Sequence, residues 1–133
     1  MSFLKVASPW EPQLRSVLRI VTGFAFSLHG YQKLFGWFGG LGGNKAELAS
    51  LMGVAGVIET IGSTLIILGL FTRPTAFILC GQMAVALFMV HLPVSIFPIL
   101  NGGEITVLYC FIYLWLFAAG PGPWSIDHAI GRE

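Results

Sequence analysis

Four long apolar stretches dominate the chain, and short clusters of glycine, proline and polar residues separate them. They cover residues 14–35, 48–70, 74–92 and 103–119. Each has about the length that a helix needs to cross the hydrocarbon core of a bilayer. Because lipid offers no hydrogen bonds to the backbone, a spanning segment of this kind is expected to be helical. The pattern predicts an all-α integral membrane protein, a bundle of four transmembrane helices that forms a single domain over residues 1–133.

Composition agrees with this class. Of the 133 residues, 56% are hydrophobic and only 10% are charged, whereas a soluble domain carries about 25% charged residues. The net charge of +1 gives no indication of nucleic-acid binding. The first apolar stretch is expected to be a retained helix rather than a signal peptide, since no small-residue cleavage site follows it.

The positive charges are distributed unequally between the two ends of the predicted helices. Lys33 and Lys45 fall at one end, and the other end holds Lys5, Arg15, Arg19, Arg73 and Arg132. Loops rich in lysine and arginine stay in the cytoplasm. We therefore expect both termini to be cytoplasmic.

Glu59 lies near the middle of the second apolar stretch. An ionisable group at the centre of a spanning helix costs roughly 2.5–3.5 kcal/mol on insertion scales and commonly marks a functional site. Small residues next to it are expected to allow close helix packing and to turn the carboxylate inward; they are Ala49, Gly53, Gly56, Thr60 and Ser63. The alternative is that Glu59 only hydrogen-bonds a neighbouring helix.

A further set of polar residues from or next to the apolar stretches is expected to converge on one half of the membrane. Gln82 is expected near mid-depth, and the outer half holds His29, Gln32, Lys33, His91, Asn101 and Glu104. Together they predict a polar pocket that opens outward, with Glu59 and Gln82 at its floor. The loops of residues 36–43 and 92–100 are expected to line its mouth, the second as a lid or an interfacial anchor.

Each of these residues also has a purely structural interpretation. His29 can relay protons or bind a ligand, but it can equally neutralise Glu59. Lys33 is expected to extend toward the outer interface, and His91 to be a solvated histidine at a helix end.

Structural roles are equally available to the other polar residues. Gln82 can bond another helix. Glu104 can complement the positive helix end, with Asn101 as its cap.

Cys80 and Cys110 are the only cysteines. Counting the rise along the predicted helices places them about 10 Å apart in depth, too far for a disulfide. They are expected to be small buried thiols. The His, Glu and Cys positions match no metal-binding motif, so no metal site is predicted.

Several short motifs follow one another along nearly the whole chain. They are LRI at 18–20, LHGYQKLFG at 28–36, GVIE at 56–59, LGLFTRP at 68–74, VHLP at 90–93, NGGE at 101–104 and GPG at 120–122. In this order they resemble the DoxX family, whose members are small four-helix proteins of the bacterial inner membrane. A related branch includes a subunit of a thiosulfate–quinone oxidoreductase. The resemblance implies a redox-associated role and shared polar positions at His29, Gln32, Lys33, Glu59, His91, Asn101 and Glu104.

The leading hypothesis is therefore a quinone-linked membrane component, with quinone as the candidate ligand. His29 and Glu59 are the predicted catalytic residues, moving protons by general acid–base steps, and the other polar residues named above, with Gln82, are the predicted ligand-binding set. The chain shows no haem, flavin or iron–sulfur motif, so a redox partner protein would carry the electrons. A non-enzymatic anchor or assembly subunit, a carrier of lipids or small molecules, and a homo-oligomer through the glycine-rich second helix stay open.

Overall fold

The computed structural model describes residues 8–133, so Lys5 of the predicted charge asymmetry lies outside the described residues. The described part contains six α-helices and no strand. They are α1 (Glu11–Phe35), α2 (Leu51–Leu68), α3 (Thr72–Ala86), α4 (Pro98–Asn101), α5 (Glu104–Ala119) and α6 (Ile126–Ala129). A 3₁₀ turn (Ser8–Trp10) precedes α1, and a π-helical turn (Leu87–His91) continues α3. The all-α prediction is confirmed for this part of the chain.

Two of these segments are long and apolar enough to cross a membrane. They are α2 and the continuous helix from Thr72 to His91. Helix α5 is apolar but shorter, with 16 residues, and α1 is the longest, with 25.

Local capping explains where the helices begin. The Ser50 hydroxyl accepts a hydrogen bond from the Gly53 amide at 3.1 Å, so α2 begins at Leu51 rather than at the predicted residue 48. Pro12 and Pro74 lie in the first turns of α1 and α3, where a missing N–H removes no helical hydrogen bond. These two helices therefore begin before their prolines, at residues 11 and 72.

The long helices pack in two pairs, α1 against α2 and α3 against α5, and α2 also contacts α3. The first pair approaches closely at glycines. A methyl group on Gly30 would lie 2.9 Å from the Thr60 amide nitrogen, and one on Gly56 would lie 2.9 Å from Lys33 Cβ. The predicted small-residue stripe on α2 thus contacts α1, so it is not a free surface for a second copy.

An aromatic cluster joins α1 to α5. The Phe26 ring meets the rings of Tyr109 and Tyr113 edge-on, with centroids 5.0 and 5.2 Å apart. The other buried residues of this core are Ile66 of α2, Ala76, Leu79 and Met83 of α3, and Leu116 of α5.

Hydrogen bonds of two charged residues hold the C-terminal segment against the helices. Arg19 is fully buried, and its guanidinium donates to the carbonyls of Pro121 at 2.9 Å and Ile66 at 3.1 Å, and also to that of Trp124. The Asp127 carboxylate accepts from the amides of Phe71 and Thr72, each at 2.9 Å. Asp127 therefore caps the start of α3 from another element, and the Arg19 charge is used inside the protein.

Candidate functional site

A cavity of about 380 Å³ lies among α1, α2, α3 and α5. This volume falls within the range of small-molecule sites. Apolar side chains form most of its wall. The polar residues that line it are His29, Lys33, Glu59, Gln82, His91, Thr106 and Tyr109.

An ion pair with a third polar partner forms one part of the cavity wall. The Lys33 ammonium donates to Glu59 Oε1 at 2.6 Å, and the Gln82 amide donates to the same oxygen at 2.9 Å. Only 2% of the Glu59 side chain and 16% of the Lys33 side chain are exposed. The expectation that Lys33 extends toward the outer interface was therefore wrong, because its charge is paired inside the protein. One residue from each of α1, α2 and α3 meets here.

Two acceptor atoms of this cluster have no hydrogen-bond partner among the described residues. They are Glu59 Oε2 and Gln82 Oε1, and both are buried. Leaving a buried polar atom unpaired costs about 1–3 kcal/mol. Both are acceptors, so a group that satisfies them must donate hydrogen bonds.

His29 lines the same cavity but makes no recorded bond to Glu59. Its ring lies near the rings of Phe26 and Tyr109, with centroids 6.3 and 6.0 Å apart. The alternative in which His29 neutralises Glu59 is not observed, since Lys33 has that position.

Hydrogen bonds hold the His91 ring on both sides. Its Nδ1 lies 3.0 Å from the Asn101 carbonyl oxygen and its Nε2 lies 3.2 Å from the Thr106 hydroxyl. Because a carbonyl only accepts, Nδ1 carries the proton, and in the neutral ring Nε2 accepts from Thr106. The prediction of a simply solvated histidine was wrong. A π-helical turn, a feature often found at functional sites, directs this ring to the cavity.

Three predicted ligand-binding residues lie outside the cavity wall. Gln32 donates to the Phe38 carbonyl at 3.4 Å. Asn101 bonds the Ser95 carbonyl and the Gly103 amide, at 2.8 and 2.7 Å. Glu104 is exposed in the first turn of α5. Asn101 therefore acts on the site through its bond to His91, and Gly103, not Asn101, is the N-cap of α5.

Neither predicted mouth loop lines the cavity. In the second loop the apolar side chains turn outward, and Ile99 is 81% exposed. The alternative, an interfacial anchor, stays a prediction for this loop.

Two polar residues of the cavity wall were not predicted from the sequence. Thr106 and Tyr109 are three residues apart on α5, and both face the cavity. The repeat of Thr106, Tyr109 and Tyr113 along an otherwise aliphatic and aromatic helix is the signal that could have identified them.

The cysteines also differ from expectation. The sulfur atoms of Cys80 and Cys110 lie 3.8 Å apart, where α3 packs against α5. The predicted 10 Å offset in depth was wrong, because neighbouring helices are staggered and their ends do not share one depth.

Comparison with known proteins identifies a relative of this chain and the family to which it belongs. It is 42% identical over 128 residues to an uncharacterized protein of Haemophilus influenzae, covering 93% of this chain and 96% of that protein. No solved structure matches. The sequence model of the DoxX family matches residues 14–92, a range that includes His29, Lys33, Glu59, Gln82 and His91. With more than half of its residues matched, this chain belongs to the DoxX family of membrane proteins.

Proposed function

We propose that this protein is a redox-associated membrane component whose cavity binds the head group of a quinone or quinol. The observation that carries the proposal is the buried cluster of Lys33, Glu59 and Gln82 in the wall of an otherwise apolar cavity. An ionisable pair held inside a spanning segment is costly, and function is its usual reason.

The two hydrogen-bond acceptors without a partner in the described part of the chain favour a quinol, the reduced form of such a ligand, over a quinone. Glu59 Oε2 and Gln82 Oε1 accept hydrogen bonds, and a quinol offers two hydroxyl donors, whereas a quinone offers none. The rim of the cavity includes exposed apolar residues, among them Leu51, Met89 and Val90. A long hydrocarbon tail would leave through this rim and remain in lipid.

Two residues would move the protons of the quinol–quinone reaction. Oxidation of a quinol releases two protons and two electrons, and the reverse reaction consumes them. The Glu59 carboxylate and the neutral His29 ring accept the protons when quinol is oxidised, and the protonated forms of the same two residues supply them when quinone is reduced. A partner protein carries the electrons.

The same proposal includes four spanning helices in the bacterial inner membrane, with cytoplasmic termini. The length of α1 and the apolar sequence of α5 support the two further spans. Arg15, Arg73 and the C-terminal residues belong to one end, which fits the positive-inside rule.

A second candidate is a non-enzymatic assembly subunit. Residues from three helices bond one another in the Lys33–Glu59–Gln82 cluster, and such a cluster can specify helix packing without any ligand. The exposed apolar loop around Ile99 would then bind lipid or a partner protein.

Measuring co-purifying ligand separates the two candidates. Quinone and quinol are quantified by mass spectrometry on wild-type protein and on the Lys33→Met/Glu59→Gln variant, which removes both members of the ion pair. The control, Lys45→Met/Glu47→Gln, makes the same changes at exposed loop positions.

We expect the wild-type and control proteins to retain their ligand. The cavity variant should lose at least about nine-tenths of it, because the loss of roughly 1.4 kcal/mol of binding free energy weakens binding tenfold. Equal ligand on three well-folded proteins would favour the assembly subunit.

A further inference from the structure

The two cysteines of the chain form a facing pair of thiols. Their sulfur atoms are 3.8 Å apart, and the Cys110 thiol also lies 3.6 Å from the Cys80 carbonyl oxygen. Both residues are free and partly buried, at the boundary between α3 and α5. These are the only two cysteines of the chain, and they lie on two different helices.

We propose that Cys80 and Cys110 are a redox-active dithiol, which closes reversibly into an intramolecular disulfide between α3 and α5. A disulfide bond is about 2.05 Å long, so the sulfurs must approach by roughly 1.8 Å. Rotation about the Cα–Cβ bonds with a small helix displacement supplies such a movement.

The oxidant is a lipid-soluble quinone, which meets the pair inside the membrane. Two S–H bonds break and one S–S bond forms, so the thiols lose two electrons and two protons. The quinone accepts both electrons, its two carbonyl oxygens take the protons, and one quinol is produced for each disulfide. The choice of oxidant rests on the proposed function, whereas the closeness of the two sulfurs does not.

The position of the pair connects it to the cavity. Cys110 directly follows Tyr109, and Cys80 lies one helical turn before Met83, and both neighbours line the cavity. A disulfide there would fix the spacing of α3 and α5 beside the ligand site. The oxidised and reduced forms would therefore differ in ligand affinity.

The first test uses an oxidant unrelated to the cavity. Full-length protein in membranes is treated with copper–phenanthroline in air, denatured and labelled with a maleimide, and the free thiols are counted by mass spectrometry. We expect two thiols per chain before treatment and none after it, a monomer on a non-reducing gel, and recovery with dithiothreitol. Cys80→Ser and Cys110→Ser should each keep one thiol as a monomer.

Two results overturn the dithiol itself. One is retention of both thiols in the wild-type protein. The other is equal loss of thiols from the single variants, which would show independent oxidation of each sulfur. Neither result bears on the proposed function, because the copper reaction needs no ligand in the cavity.

The second test replaces copper with tetramethylbenzoquinone under anaerobic conditions. Every ring carbon of this probe that a thiol normally attacks carries a methyl group. We expect one quinol for each pair of thiols lost, and no reaction with either serine variant. A pair that closes with copper but not with this quinone would overturn the assigned oxidant.

Discussion

The Lys33 ammonium and the Glu59 carboxylate lie 2.6 Å apart inside the protein, and both side chains are largely buried. Removing one member of a buried pair leaves the other uncompensated, at a cost of about 3–5 kcal/mol. Replacing both members removes the charges together and avoids most of that cost. The coupling between the two residues is therefore measurable separately from ligand binding.

A double-mutant cycle is the corresponding experiment. We expect Glu59→Gln and Lys33→Met each to lower the free energy of unfolding by about 3 kcal/mol or more. The double variant should be more stable than the sum of the two single effects predicts. Thermal unfolding of the four proteins in one detergent gives the comparison. Additive effects would contradict a direct ion pair.

The sequence allowed part of this cluster to be predicted. Counting residues along the apolar stretches placed Glu59 and Gln82 at similar levels on two helices, and their hydrogen bond of 2.9 Å agrees with this. The stripe of small residues indicated that Glu59 faces inward, and its side chain is buried. The partner of Glu59 was not predictable in this way. Which long side chain reaches it depends on how α1 rotates against α2, and packing, not periodicity, determines that rotation.

At the scale of helices, close contact between α1 and α2 depends on glycine. A methyl group on Gly30 would lie 2.9 Å from the Thr60 amide nitrogen, a backbone atom that cannot move away easily. Small residues that allow such approaches are typical of packed membrane helices.

Two alanine variants test this contact. Gly30→Ala should lower the free energy of unfolding by about 1–3 kcal/mol through overpacking. Gly81→Ala is the matched control, because a methyl group there meets nothing within 4 Å, and it should raise stability by up to about 1 kcal/mol through helix propensity. Thermal unfolding measures both. Equal effects would show that the α1–α2 contact is looser than described.

The π-helical turn at Leu87–His91 and the loop after it are the parts of the site region that the sequence could not predict. The Leu92 amide bonds the Leu87 carbonyl at 2.9 Å, five residues earlier, so His91 faces a direction that a regular helical period does not give. The loop after it was expected to be a lid over the cavity or an interfacial anchor, because its residues are apolar. Apolar character fits an exposed position facing lipid equally well, and sequence alone does not distinguish the two.

For the whole molecule, the central structural proposal is four spans with both termini in the cytoplasm. Single cysteines are introduced by Asn44→Cys, Ile99→Cys and Gly131→Cys in a chain that lacks the native thiols. In spheroplasts, an impermeant maleimide should label positions 44 and 99 and spare position 131. Inside-out vesicles should show the reverse. Labelling of all three positions from one side would contradict the four-span arrangement.

Four helices form the cavity. Helices α1, α2 and α3 each contribute one residue to its polar cluster, and α5 contributes further lining residues. At the opposite end, Arg19 and Asp127 hold the C-terminal segment against the helices. The contacts that hold the C-terminal segment therefore involve none of the residues that line the cavity.

A binding titration tests the ligand site most directly. Quinol is titrated into wild-type protein, Gln82→Met and Gln32→Met in lipid nanodiscs. The two variants make the same chemical change, but Gln82 lines the cavity and Gln32 does not. We expect roughly tenfold weaker binding for Gln82→Met, as the loss of about 1.4 kcal/mol implies, and unchanged binding for Gln32→Met. Equal affinity in all three folded proteins, or no saturable binding to the wild type, would show that the cavity is not a quinol site.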